Sequence, residues 1–138
     1  MTLPTVPPYE LTFTVTSTDI DERDHVNNVV YVQWVNDAAI AHWRSAATAE
    51  QQAEVAWVLI HHEIDYKISA VLGDRITART WVGAAEGISF ERFVELIRTS
   101  DGKLLAHSRT LWCPVDAGTG RPRRVPPAIR ERFSVHPT

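Results

Sequence analysis

Apolar and polar residues alternate over residues 10–16 (Glu-Leu-Thr-Phe-Thr-Val-Thr), the period of a strand with one buried face. From Asn27 to about Ala47 the period changes. Tyr31, Trp34, Val35, Ala38 and His42 recur at three- and four-residue steps and form one helical stripe. Asn27 suits the N-cap of that helix, with Val26 and Tyr31 placed for a hydrophobic staple across it. Ala38, Ala39, Ala41, Ala46 and Ala47 keep the helix thin, which predicts that it nestles closely against a curved sheet. A short polar helical turn at 48–54 follows. Residues 55–66, 74–82, 88–99 and 103–115 then read as four long strands, broken by turn-formers at 72–74, 83–87 and 100–102. Asp101-Gly102 between two apolar runs signals a tight hairpin. Pro122, Pro126 and Pro127 lead to a last short helix at about 128–133.

The order of strand, long helix and four strands predicts an α+β fold, an antiparallel meander with the helix on one face. One helix cannot cover five strands. Aromatics such as Trp81 or Trp112 on an uncovered face would call for a homo-oligomer.

The 138 residues fit one domain, 1–138, with an extended lead-in at 1–8 (Pro4, Pro7, Pro8) and a tail at 121–138 that holds the short helix. A formal net charge of -3 gives no electrostatic reason to expect nucleic acid or an anionic membrane as partner. Arg121, Arg123 and Arg124 are the one basic concentration, suited to a solvated tail or to the phosphates of a nucleotide-bearing substrate. Cys113, the single cysteine, sits in an apolar run and reads as a small buried hydrophobe. It cannot form an internal disulfide, which fits a reducing compartment. The N-terminus lacks the basic start and apolar stretch of a signal peptide, and no apolar run nears the roughly 18 residues of a membrane span. The expected location is cytoplasmic.

Chemistry concentrates in residues 19–34, where Asp19, Asp21, Asp24, His25, Asn27 and Asn28 crowd the entry to the helix. A calcium loop is excluded, because the fifth, sixth and twelfth positions counted from Asp19 are Arg23, Asp24 and Val30. Zinc from His25, His61 and His62 is disfavoured, since neighbouring strand residues face opposite sides; no metal is expected. There is no G-x-S-x-G elbow and no phosphate-cradling glycine loop. What remains is a carboxylate. Asp21 can activate water or attack an acyl carbon, while helix N-terminal amides, Asn28 above all, hold the carbonyl oxygen. His25 can orient the carboxylate or share its proton. The alternative reading, that the three aspartates only cap and solvate the helix entry, stays open on residue types alone.

The pattern D-x-D-x-x-x-H-V-N-N-x-x-Y-x-x-W, sixteen residues from Asp19 to Trp34, resembles the active-site segment of the hotdog-fold thioesterases. It is similar to the 4-hydroxybenzoyl-CoA thioesterase family, and His25-Val-Asn-Asn-Val resembles plant acyl-ACP thioesterases. Ile64-Asp-Tyr66 through Gly73-Asp74 resembles the family's second strand and following turn. The resemblance implies a single hotdog domain, a five-stranded antiparallel sheet wrapped around one long helix. It implies hydrolysis of an acyl-CoA, or an acyl carrier protein thioester, to acid and thiol without a cofactor. It places Asp21, His25 and Asn28 in catalysis and Asn27 and Tyr31 against substrate, in a homodimer or homotetramer with the site between subunits. Two positions depart from the acyl-ACP branch: Arg23 stands where that branch has Asn, and Lys67-Ile-Ser-Ala replaces its glutamate segment. The simpler scheme, Asp21 as base or nucleophile with the Asn28 N–H as oxyanion donor, is therefore the expected one. Two other readings are a non-catalytic acyl-thioester-binding hotdog module and an enoyl-CoA hydratase; the second lacks its usual D-x-N-x-x-H spacing.

Overall fold

A computed structural model describes residues 7–134. The expected lead-in and tail therefore lie partly outside the described residues. The elements are β1 (Tyr9–Thr14), a 3₁₀ turn (Ser17–Asp19), α1 (Asn28–Ala46), α2 (Ala49–Glu54), β2 (Val55–Tyr66), β3 (Arg75–Glu86), β4 (Ser89–Arg98), β5 (Lys103–Asp116) and α3 (Pro127–Phe133).

The caps explain where the helices begin. The Asn27 side chain accepts the Val29 N–H at 3.0 Å, which fixes the first turn of α1. Thr48 and Gln51 bond reciprocally at 2.9 and 3.1 Å and start α2. The expected stripe of α1, Tyr31, Trp34, Val35, Ala38 and His42, is buried, and Ala39 joins it. Ala38 and Ala78 are both fully buried in one cluster with Val35, Ile76, Val94 and Leu96. Small side chains there let the helix sit close to the sheet, as its alanine content predicts.

All strand pairs are antiparallel, in the order β1-β3-β4-β5-β2, a five-stranded hotdog sheet around one long helix. The expected meander holds only for β3, β4 and β5. β2 leaves its sequence neighbour and pairs with β5 at the far edge. The connection 67–74 must therefore cross the end of the sheet, and its hydrogen bonds trace the path. Lys67 and Ile68 donate to the Leu105 carbonyl at 2.8 and 3.1 Å, and Gly73 reaches the Val15 carbonyl at 3.2 Å. Leu105 is left out of the register between β4 and β5, a bulge that turns its carbonyl toward this crossing segment.

Two expectations about details need correction. The turn predicted over 83–87 lies further on, at Gly87 and Ile88, because the hairpin continues through a register shift between Val82 and Ala85. The Glu91 side chain accepts the Ala84 N–H at 3.2 Å within that irregular stretch. Trp81 and Trp112 are half-buried rather than exposed: Trp81 stacks on Phe93 and the Trp112 indole N–H donates to Thr110 Oγ1. Cys113 is buried, as its apolar run implies.

A second buried cluster closes the other end of the helix. Ala47, Val55, Val82, Phe90, Val125, Ile129 and Phe133 pack there, with α3 as its lid. Among the described residues no helix is long and apolar enough to cross a membrane.

Candidate active site

The segment ahead of α1 folds back on itself as a small hairpin. Ile20 and Val26 form an antiparallel bridge, the Asp21 N–H donates to the His25 carbonyl at 2.8 Å, and Asp24 N–H donates to the Asp21 carbonyl at 3.1 Å. Asp24 takes φ of 61°, the left-handed conformation that a three-residue hairpin tip of this type needs. Aspartate tolerates it better than most residues. Asn27 N–H then donates to the Asp19 carbonyl at 3.0 Å and Val26 N–H to the Ala70 carbonyl at 2.9 Å, so the hairpin is tied both to itself and to the crossing segment.

This places Asp21 and His25 opposite one another across the hairpin, both half-buried. Asp21 Oδ1 accepts the backbone N–H groups of Arg23 at 2.9 Å and His25 at 3.3 Å. The carboxylate is thus oriented by the backbone of the loop. Among the described residues no hydrogen bond joins the His25 imidazole to it, so the orienting role expected of that side chain falls to the His25 amide. Asp21 Oδ2 has no hydrogen-bond partner among the described residues. Asp19, by contrast, spends its side chain on Thr16, accepting its N–H at 2.9 Å and its hydroxyl at 3.1 Å. Capping accounts for Asp19, whereas Asp21 keeps one carboxylate oxygen without a partner among the described residues.

Of the three amides that open α1, Val29 donates to the Asn27 side chain and Val30 to the Asn27 carbonyl at 2.9 Å. The Asn28 N–H has no partner among the described residues, and Asn28 is exposed. A helix of nineteen residues ends its row of peptide dipoles at this point. The Asn28 carbonyl receives the Tyr66 hydroxyl at 3.3 Å. Asn27 is exposed but spends its side-chain oxygen on the cap.

Tyr31 is buried within the core. Its hydroxyl donates to the Ile68 carbonyl at 3.1 Å and accepts the Ala70 N–H at 2.8 Å, while its ring stacks between Trp34 and Tyr66. Burial raises its pKa. The crossing segment 67–74 and Tyr66 frame the site. Their family resemblance is legible in the sequence, but their hydrogen bonds to Tyr31, Val26 and Asn28 are not. Among the described residues no three His, Cys, Asp or Glu side chains converge as metal ligands would.

A different polar group lies at the other end of α1. Arg92 is on the inward face of β4 and only 8% exposed. Its Nη1 donates to Thr80 Oγ1 at 2.8 Å and lies 3.0 Å from His42 Nδ1. An arginine only donates, so His42 Nδ1 accepts and the imidazole proton is assigned to Nε2. Burial, with the arginine's charge beside it, lowers the His42 pKa from 6.5 to about 3. Burial also lowers that of Arg92, to about 10, which leaves it charged at neutral pH. Strand alternation puts Arg92 on the same face as Phe90, Val94 and Leu96, and that misplaced charge was the signal available in the sequence.

The His42 shift has a sign. Between pH 6.5 and about 3 the unfolded chain binds a proton that the folded imidazole refuses, so stability falls as the pH falls through that window. The slope reaches about 1.4 kcal/mol per pH unit where the difference is a full proton. Thermal unfolding between pH 7 and 4 is expected to show this decline. His42→Gln, which can still accept from Arg92, should flatten it; an unchanged slope in that variant would assign the acid sensitivity to other groups.

Residues 15–133 match the sequence profile of the thioesterase-like superfamily, and the chain belongs to that family. Thioester hydrolysis is the reaction class this membership carries. No curated protein is significantly similar in sequence. Among solved structures, the 1,4-dihydroxy-2-naphthoyl-CoA thioesterase Slr0204 of Synechocystis is 20% identical, with a TM-score of 0.75 over 86% of this chain and 90% of that one. SAV2348 of Staphylococcus aureus, in complex with CoA, is 18% identical, with a TM-score of 0.82 over 96% and 84%. The 12:0-ACP thioesterase of Umbellularia californica is 17% identical, with a TM-score of 0.76 over 91% of this chain and 49% of that one. At such identities the likeness is one of fold.

Proposed function

We propose that this chain hydrolyses acyl-CoA thioesters to a free acid and a thiol at the start of α1. The observation that carries the reading is the unpartnered Asn28 N–H at the helix N-terminus, a few residues from a backbone-oriented Asp21 with one unoccupied carboxylate oxygen. The thioester carbonyl oxygen accepts from the Asn28 N–H, which stabilises the charge that develops there as the carbon is attacked. Asp21 takes a proton from the attacking water, or attacks first and is released by water in a second step. In both routes the carbon–sulfur bond breaks, the acid forms and the thiolate leaves to take up a proton. His25 stands across the hairpin from Asp21, within the same loop. Tyr31 and Tyr66 hold the frame, and Asn27 holds the helix start.

CoA as the carrier is supported by the CoA complex of SAV2348 and the CoA thioester named for Slr0204. Two copies sharing the site is the assembly we favour. Val29 is 72% and Leu72 60% exposed beside the helix entry, and β2, whose outer edge is unpaired among the described residues, presents Val58 and Ile60. Apolar side chains around a polar site, next to an unpaired strand edge, suit a second copy of the chain.

Thiol release from short, long and aromatic acyl-CoAs tests the reading, and saturable turnover of at least one class is expected. Turnover confined to carrier-protein thioesters would replace CoA as the carrier. Tight binding of acyl-CoA without release would move the chain to the binding modules.

A further inference from the structure

The buried Arg92 has no carboxylate partner among the described residues. The acid next to it in sequence, Glu91, is engaged by Arg109 at 2.6 Å and by the Ala84 N–H. Thr80 and His42 are neutral and use only Nη1, so Nε and Nη2 have no hydrogen-bond partner among the described residues. A buried guanidinium without a counter-charge is costly. Arg92 lines a half-open cavity of about 70 Å³ whose other walls, apart from Glu91, are chiefly hydrocarbon and aromatic: Trp43, Trp57, Phe90, Trp112, Ile129 and Phe133. Among the described residues the Trp57 indole N–H, on one of the lining residues, is buried without a partner. A cavity with one cation, a surplus of donors and an aromatic lining is short of two things: a negative charge with acceptor oxygens, and an apolar body. Water supplies acceptors but neither of these.

We propose that this cavity is a binding site for a small hydrophobic monocarboxylate, its carboxylate held by Arg92 and its ring or hydrocarbon body among Trp43, Phe90 and Trp112. The site is separate from the proposed hydrolytic centre. Asp21, His25 and Asn28 do not line the cavity, and Ile40, which does, lies about 18 Å from Asn28 along α1. The neutral His42 fits this role, because it leaves the Arg92 charge to the ligand instead of adding a second cation.

The test is a titration of the full chain with phenylacetate and octanoate, followed by tryptophan fluorescence, against phenylacetamide, octanamide and sulfate. Three of the five tryptophans line the cavity, so occupancy has a direct readout. Both acids are expected to bind saturably, at least tenfold more tightly than their amides or sulfate. Arg92→Met keeps a long apolar side chain in place; it should fold without loss of thermal stability and bind acid and amide alike. Arg92→Lys should retain the preference for acids. Asp21→Asn should bind the acids as the native chain does, which keeps this result apart from the fate of the hydrolysis reading. No saturable binding, equal binding of acids and amides, sulfate binding as tight as the acids, or an acid preference that survives Arg92→Met would each overturn the proposal. If Arg92→Met does not fold, the acid–amide comparison in the native chain decides.

Discussion

Asp21→Asn is expected to lower the rate of thioester cleavage by a factor of about 10²–10⁴ while leaving the fold intact. The substitution separates chemistry from structure because of how the carboxylate is held. Oδ1 accepts the Arg23 and His25 amides, and an asparagine Oδ1 can accept both in the same place. What is lost is the second oxygen's charge, and with it the means to take a proton from water or to form an acyl-enzyme. Kinetics of thiol release, with unfolding curves of both proteins superposed, checks the expectation. Activity indifferent to the change would remove Asp21 from the mechanism and return it to the role of a loop-forming residue. A loss of activity matched by a loss of stability would leave the chemical role undemonstrated, so the two measurements belong together.

Tyr31→Ala is expected to destabilise the chain by about 3–5 kcal/mol, the range for deleting a large buried aromatic ring. Tyr31 is 2% exposed and its ring centroid lies 5.4 Å from that of Trp34 and 5.5 Å from that of Tyr66. Tyr31→Phe isolates the hydroxyl. It would leave the N–H of Ala70, a fully buried residue, without its 2.8 Å acceptor, at a cost of about 1–3 kcal/mol. Ala70 also accepts the Val26 N–H at the base of the hairpin, so loosening it slackens the frame around Asp21. Hydrolysis in Tyr31→Phe should therefore fall too, though by less than in Asp21→Asn. Denaturant unfolding of the three proteins reads the two contributions. A Phe variant as stable as the native chain would show that the hydroxyl adds nothing net to the crossing segment.

The parts of this molecule that local pattern governs were legible in the sequence. The period of α1, its Asn27 cap and the bounds of β2 follow from side chains a few positions apart, and the hairpin at Gly102 follows from its turn residues. The place of β2 in the sheet did not, because no local signal says that a strand will pass over its neighbour and pair with residues forty or more positions away. The irregular stretch at 83–87 misled for a related reason: glycine serves a bulge as well as a turn, and only the opposing Glu91 tells them apart. At the site, the residue types announced a carboxylate and a helix N-terminus. That the carboxylate is aimed by two amides depends on the left-handed Asp24 and was not readable from composition of the loop. Arg92 alternates onto the inner face of β4 beside Phe90 and Val94, so the strand period alone marks it as a charge among apolar positions.

The pairing of β2 has a bearing on how the chain comes to be folded as it emerges from a ribosome. Tyr66 finds its partner in Ala106 and Val55 finds its partner in Asp116, so the strand stands made but unmatched until β5 has been synthesised. β3, β4 and β5 need only neighbouring turns and can assemble in order as they appear. Throughout that interval Trp57, Val58 and Ile60 have no sheet to join, and the nascent strand is the segment a chaperone or a second nascent chain would meet first.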